Sequence, residues 1–211
     1  YPISVSELGH SLTPFELDQR LEEFLQFGMY PEVFSISNSV DKTEYLTQLS
    51  HSYLYKDILE LGGVRHSHKI RNLLRLLAFQ TGSLISYSEL GRNLGMSTET
   101  VQRYIDLLEK SFVLFRLSGF SRNLRKEIAK NPKIYFCDLG IRNAIMENFK
   151  PPRKRQDVGA LWENFLLIER IKSKSNRQIG SNRFFWRTYT GAEIDYVEES
   201  EGMLRGYEFK W

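Results

Sequence analysis

The sequence predicts an α+β protein. Two stretches with helical apolar spacing fill the first third. Three short helices and a hairpin fill the middle, and a helix with three alternating strands closes the chain. At 211 residues, 41% hydrophobic and 26% charged, the composition is that of a globular protein and excludes disordered or collagen-like chains. No apolar run approaches the roughly 18 residues of a membrane span, so no membrane partner is expected. Cys137 is the single cysteine. It excludes an intramolecular disulfide and points to a reducing, cytoplasmic compartment. The chain starts at Tyr1 without a signal-type segment and stops at Trp211 inside a strand-like run, which reads as a piece of a longer protein.

In the first third, Thr13-Pro14-Phe15-Glu16 is a capping box with proline at the first helical position. The helix it opens should carry Phe15, Leu17, Leu21, Phe24 and Leu25 on one side. Gly28 to Pro31 should end it in a turn. Asp41 with Glu44 should open a second helix, whose face is Tyr45, Leu46, Leu49, Tyr53, Leu54 and Ile58 and which Gly62-Gly63 should stop.

The middle is the clearest local pattern. One helix is expected over 69–79, with Ile70, Leu73, Leu74 and Leu77 facing inward. Ser86-Tyr87-Ser88-Glu89 starts a short second helix, with Ser86 at its head, that runs through Leu94. After a turn at Gly95-Met96, Ser97 caps a third, with Val101, Tyr104, Ile105, Leu108 and Phe112 on its apolar side. Strands over 113–117 and 133–137 flank a basic stretch. Three helices with a tight turn before the third, then a basic hairpin, form a winged helix-turn-helix.

A further helix is expected over 139–149. The proline-broken basic stretch from Lys150 to Arg155 marks a domain boundary. The expected division is therefore 1–64, 65–149 and 150–211. The last part is a helix over 159–172 and strands over 184–189, 193–198 and 205–211, with turns at Thr190-Gly191 and Glu201-Gly202.

Charge follows this division. Residues 1–64 hold 3 basic and 10 acidic residues, and 65–135 hold 13 basic and 5 acidic, within a net charge of +3. A basic middle suits a polyanionic partner, or a solvated face packed on the acidic segment. On the third helix of the middle part, Thr98, Thr100, Gln102 and Arg103 can reach phosphates or base edges, although Glu99 and Asp106 share that helix. Arg122, Arg125, Lys126, Lys130 and Lys133 in and around the wing suit phosphate contacts. Winged helices also dock proteins, and that reading stays open.

In the last part, alternation puts Glu208 and Lys210 on one face of the third strand. The hairpin at Glu201-Gly202 can bring Asp195 beside Glu208. Two adjacent carboxylates suit Mg²⁺, with Lys210 near an attacking water and Glu163 supplying a further carboxylate from the helix. The same residues equally suit cross-strand ion pairs. His66 and His68 have no cysteine partner nearby, and no phosphate-binding loop or nucleophile elbow occurs. Cys137 reads as a core residue.

Over nearly its whole length, the chain resembles the C-terminal region of prokaryotic AAA-type P-loop ATPases that carry a domain of unknown function. The stretches that carry the resemblance include Gly28-Met29-Tyr30-Pro31-Glu32-Val33, Pro132 to Gly140, Gly159 to Asn164, Gly191 to Asp195 and Glu208-Phe209-Lys210. The resemblance implies an ATPase core upstream that binds ATP, with residues 1–64 as its lid and linker helices. It implies a winged helix next, then a truncated domain similar to the PD-(D/E)XK nuclease fold. There Asp195 and Glu208 match the metal carboxylates, Lys210 the lysine and Glu163 the helix glutamate. A complete fold of that kind continues past the third strand, so the missing part or a second copy would close the site, which makes a homo-oligomer one expectation. The expected function is a nucleic-acid-binding module, with Mg²⁺-dependent cleavage, attached to its own ATPase domain. The alternative is a non-catalytic docking module.

Overall fold

The structure, a computed structural model, describes residues 1–62, 67–121, 131–188 and 190–211, and the backbone alone for 53–62 and 67. It is α+β. Among the described residues it has ten α-helices and one five-stranded mixed sheet.

The acidic first part holds α1 (Val5–Leu8), α2 (Pro14–Gln19), α3 (Leu21–Phe27), α4 (Pro31–Ser35) and α5 (Ser39–Gly62). The capping box at Thr13 and Glu16 forms, and Ser4 with Glu7 forms another. The helix expected from Pro14 onward breaks at Arg20 into α2 and α3. The turn at Gly28 continues into α4, with Pro31 at its first position. Asn38, rather than Asp41, caps α5: its Oδ1 accepts from the Asp41 amide at 2.8 Å. Gly63 lies outside the described residues.

Next come α6 (Ser67–Phe79), α7 (Tyr87–Leu94), α8 (Thr98–Lys110), β1 (Leu114–Gly119) and β2 (Lys133–Phe136). Ser86 and Ser97 cap α7 and α8 as expected. Ile70, Leu73, Leu74, Leu77, Val101, Tyr104, Ile105 and Leu108 are all buried, together with Leu46 of α5. Phe112 departs from the expectation. It stands 61% exposed, past the end of α8, with φ of 54°.

The chain continues through α9 (Leu139–Ile145), a 3-10 turn at Pro152–Lys154, α10 (Val158–Asn176), β3 (Asn182–Arg187), β4 (Glu193–Ser200) and β5 (Met203–Tyr207). The strand order is β2-β1-β3-β4-β5. β1 runs antiparallel to β2 and parallel to β3 at Ser118↔Phe184, so the hairpin and the meander share one sheet across the expected boundary. β5 ends at Tyr207, short of the expected strand to Trp211.

β2 is buried along its whole length. Ile134 and Phe136 face the helical core, while Tyr135 on the other face packs with Leu117, Phe185 and Tyr196 against Leu167, Ile168 and Ile171 of α10. β2 is also an edge strand, and buried edge groups need partners. Gly82 N–H and Ile85 N–H donate to Ile134 and Pro132 carbonyls. The fully buried Asn164 amide accepts from Phe136 N–H at 2.8 Å and donates to its carbonyl at 2.8 Å.

Four helices, α7 to α10, end in the same hydrogen-bond pattern with a residue in the left-handed region. That residue is Gly95 after α7, but Phe112, Glu147 and Gln178 after the others. The connection from α9 to α10 is tied by charge. Arg142 is 2% exposed and donates to Ala78 carbonyl and Asp157, and Arg155 pairs with the same Asp157.

Two outcomes follow. A left-handed conformation costs a non-glycine residue about 1–2 kcal/mol, against about 0.5–1 kcal/mol of added chain entropy for glycine. Gln178 is exposed, so Gln178→Gly should stabilise by about 0.5–1 kcal/mol, raising Tm by about 1–4 °C in calorimetry. At Asp157, burial alone would raise the carboxyl, but the guanidiniums of Arg155 and Arg142 outweigh it and hold it well below the ordinary aspartate range. A depressed acid contributes stability above its unfolded pKa and loses it as pH falls toward the folded value. Asp157→Asn should therefore cost up to about 3 kcal/mol at neutral pH by leaving Arg142 underpaired. Urea midpoints should begin to converge with those of the parent as pH falls below about 4 and continue to do so toward the lower folded value.

Candidate functional site

α10 is placed by its apolar side. Leu161 and Phe165 sink into a cluster with Phe24, Leu25, Met29 and Leu139, and Asn164 clasps β2. That orientation turns Glu163 toward the exposed end of the sheet. Its Oε1 accepts from Tyr135 hydroxyl at 2.5 Å and from Lys133 Nζ at 3.3 Å. Lys133 is 3% exposed, and its ammonium also pairs with Glu193 on β4. The same ammonium lies 5.6 Å from the Phe185 ring centroid. Arg187 approaches Glu193 from solvent at 3.6 Å.

Asp195 stands two residues from Glu193, hence on the same face of β4. Its Oδ2 accepts from Phe209 N–H at 2.8 Å. Burial pushes the Glu163 carboxyl up, Lys133 opposes that, and the charge of Asp195 adds to it. Tyr135 is held well above the ordinary phenol range by burial, then by Glu163 and Asp195.

The structure thus brings Glu163 and Asp195 into one electrostatic neighbourhood. Glu208 and Lys210 are arranged differently. Both follow the end of β5 and are largely exposed, with Lys210 Nζ 3.0 Å from Glu208 Oε1. One step beyond the Tyr196↔Tyr207 pair, Glu208 would face Asp195 in a continued ladder. The Phe209 N–H turns to the Asp195 side chain there instead. Among the described residues, no group of three histidine, cysteine or acidic side chains is arranged to hold a metal ion. Lys133, Tyr135 and Glu193 are members of the cluster that the sequence reading missed. Period-two alternation was the available signal: 133 with 135 on β2, and 193 with 195 on β4.

On α8, Gln102 and Arg103 are exposed and Thr98 and Thr100 half-buried. The Arg103 guanidinium lies 5.5 Å from the Tyr104 ring centroid. Asp106 and Glu109, on the same helix, are both engaged by Arg116, at 2.8 and 2.5 Å. Burial works against the Arg116 charge, but Glu109 outweighs it and holds the guanidinium above its ordinary range. Arg122, Arg125, Lys126, Lys130 and His66 lie outside the described residues. Cys137 is buried, as expected, and burial pushes its thiol up to about 12.

Residues 18–152 match the model of a domain of unknown function, DUF8612, and the chain belongs to that family. Residues 158–211 match a second domain of unknown function, DUF4143. An uncharacterized protein of Mycobacterium tuberculosis is 27% identical over 185 residues, covering 87% of this chain and 41% of its own length. One from Haemophilus influenzae is 23% identical over 206 residues, covering 93% and 48%. Another, from Methanocaldococcus jannaschii, is 25% identical over 187 residues, covering 86% and 40%. The chain therefore spans less than half the length of these relatives. No solved structure matches it. No helix among the described residues is long and apolar enough to cross a membrane.

The buried and the exposed ion pair of the site should respond differently to truncation. Glu163→Ala removes one of the two carboxylates on buried Lys133 and should destabilise by about 2 kcal/mol in urea unfolding. Lys210→Ala, at an exposed pair, should stay within about 0.5 kcal/mol of the parent.

Proposed function

We propose that the chain is the nucleic-acid-binding, C-terminal module of an AAA-type ATPase, with α6, α7, α8 and the β1–β2 hairpin working as a winged helix. The observation that carries this reading is the pair of ion contacts from Arg116 to Asp106 and Glu109. They offset part of the negative charge that Asp106 and Glu109 would set against a phosphate backbone, leaving Glu99 as the acidic residue of α8 that Arg116 does not meet, while Gln102 and Arg103 stand exposed. Further support comes from the isolated bridge Leu84↔Lys133. It adds a third strand-like segment between the first two helices of this unit, as a winged helix has. The basic residues Arg122, Arg125, Lys126 and Lys130 fall between β1 and β2 in sequence, where a wing lies. DUF4143 is often found C-terminal to AAA ATPases, and the greater length of the relatives leaves room for such a core.

Mg²⁺-dependent cleavage is not part of this reading. The donors of the expected metal site do not fit the ion as they stand. Glu163 is engaged by Tyr135 and Lys133 and Asp195 by the Phe209 amide, while Glu208 lies past the end of β5 in an exposed pair with Lys210. No cleavage step is derived from them.

The test is fluorescence anisotropy of a labelled DNA duplex in chelator-containing buffer over a range of salt. Phosphate-contacting binding should weaken linearly in log–log form, with about 0.9 of slope per phosphate neutralised. Replacing Arg122, Arg125 and Lys126 together by alanine should flatten that slope by about 3, and Arg103→Ala should weaken binding. Absent or salt-independent binding would remove the reading and favour docking onto a protein.

A further inference from the structure

We propose that Lys133 takes the place of a divalent cation in the carboxylate cluster, making it a metal-free charge clamp between the two family-matched segments. The ammonium is nearly inaccessible and contacts both the Glu163 and Glu193 carboxylates. A buried lysine keeps its charge only with such partners. Mg²⁺ demands near-ideal octahedral oxygen geometry, and any ion bridging these two carboxylates would meet the ammonium that already bridges them. The two partners come from different parts of the chain. Lys133 and Tyr135 belong to β2, inside the segment matching DUF8612, whereas Glu163, Glu193 and Asp195 belong to the segment matching DUF4143. Two carboxylates contact one buried cation there, with Arg187 at the rim and Asp195 two residues along the same strand from Glu193. Withdrawing Lys133 therefore leaves an excess of negative charge that a dication would fill. This inference does not depend on nucleic-acid binding.

Mn²⁺ binding, followed by electron paramagnetic resonance without nucleic acid, tests it. The parent protein should take up no Mn²⁺ at this cluster at millimolar concentration. Lys133→Met should bind it with a Kd at least about tenfold below that concentration, and adding Glu163→Gln should abolish that binding. Where Lys133→Met folds weakly, melting with and without Mn²⁺ serves instead. The ion should raise Tm of the single variant, but not that of the parent or the double variant. Two results would overturn the proposal. One is parent binding as tight as in Lys133→Met and lost in Glu163→Gln, which would restore a metal centre. The other is a Lys133→Met protein that neither binds Mn²⁺ nor is stabilised by it. The anisotropy measurement of DNA binding reads out separately from either result.

Discussion

The structure depends on how the backbone of β2 is satisfied. β2 is covered on both faces and lies at the edge of its sheet, so its outward N–H and C=O groups are shut away from water. Unpaired, each would cost about 1–3 kcal/mol. The segment around Gly82 and Ile85 takes the Ile134 carbonyl and that of Pro132 just before the strand, and the single amide of Asn164 takes two more β2 groups. Asn164 therefore does more than pack. It fixes the rotation of α10 about its axis and its height along β2. The positions of Leu161, Phe165 and Glu163 follow from that.

A second buried polar group ties the acidic first part to this frame. Asp138 caps α9 by accepting from Ile141 N–H at 3.0 Å and also accepts from Met29 N–H at 2.7 Å. Burial raises its carboxyl and the backbone amides oppose that. Two glycines make the approach close enough. A side chain at Gly28 would lie 2.2 Å from Asp138 Oδ1, and one at Gly140 would lie 2.1 Å from the Phe27 carbonyl oxygen. Several stretches that carried the family resemblance, Gly28-Met29, Asp138-Leu139-Gly140 and Asn164, are thus explained by packing and backbone pairing. Resemblance built on them speaks for a shared fold more than for a shared reaction.

The carboxylate cluster was half legible in the sequence. Asp195 and Glu163 could be placed because each sits in a regular element whose period was evident. Glu208 and Lys210 were assigned to a strand face because their neighbours alternate, but the ladder stops at Tyr207 and a side-chain bond from Phe209 N–H to Asp195 replaces it. Lys133 was read as one cation among several in a basic hairpin. Its burial arises because β1 pairs with β3 and brings Glu193 over it, a long-range contact that no local pattern encodes.

By itself the sequence determined the α+β class, the caps at Ser86, Ser97 and Thr13, and nearly all of the helical core. These follow from local hydrogen bonds and from apolar periodicity. Helix endings at Phe112, Glu147 and Gln178 escaped it, because without glycine the left-handed cap leaves no local mark and is imposed by the following chain. The tertiary structure alone decided that hairpin and meander form one sheet. It also decided that a lysine from one segment neutralises carboxylates from another. Strand partners and buried charges are chosen by which surfaces must be shielded together, and that is a property of the assembled chain.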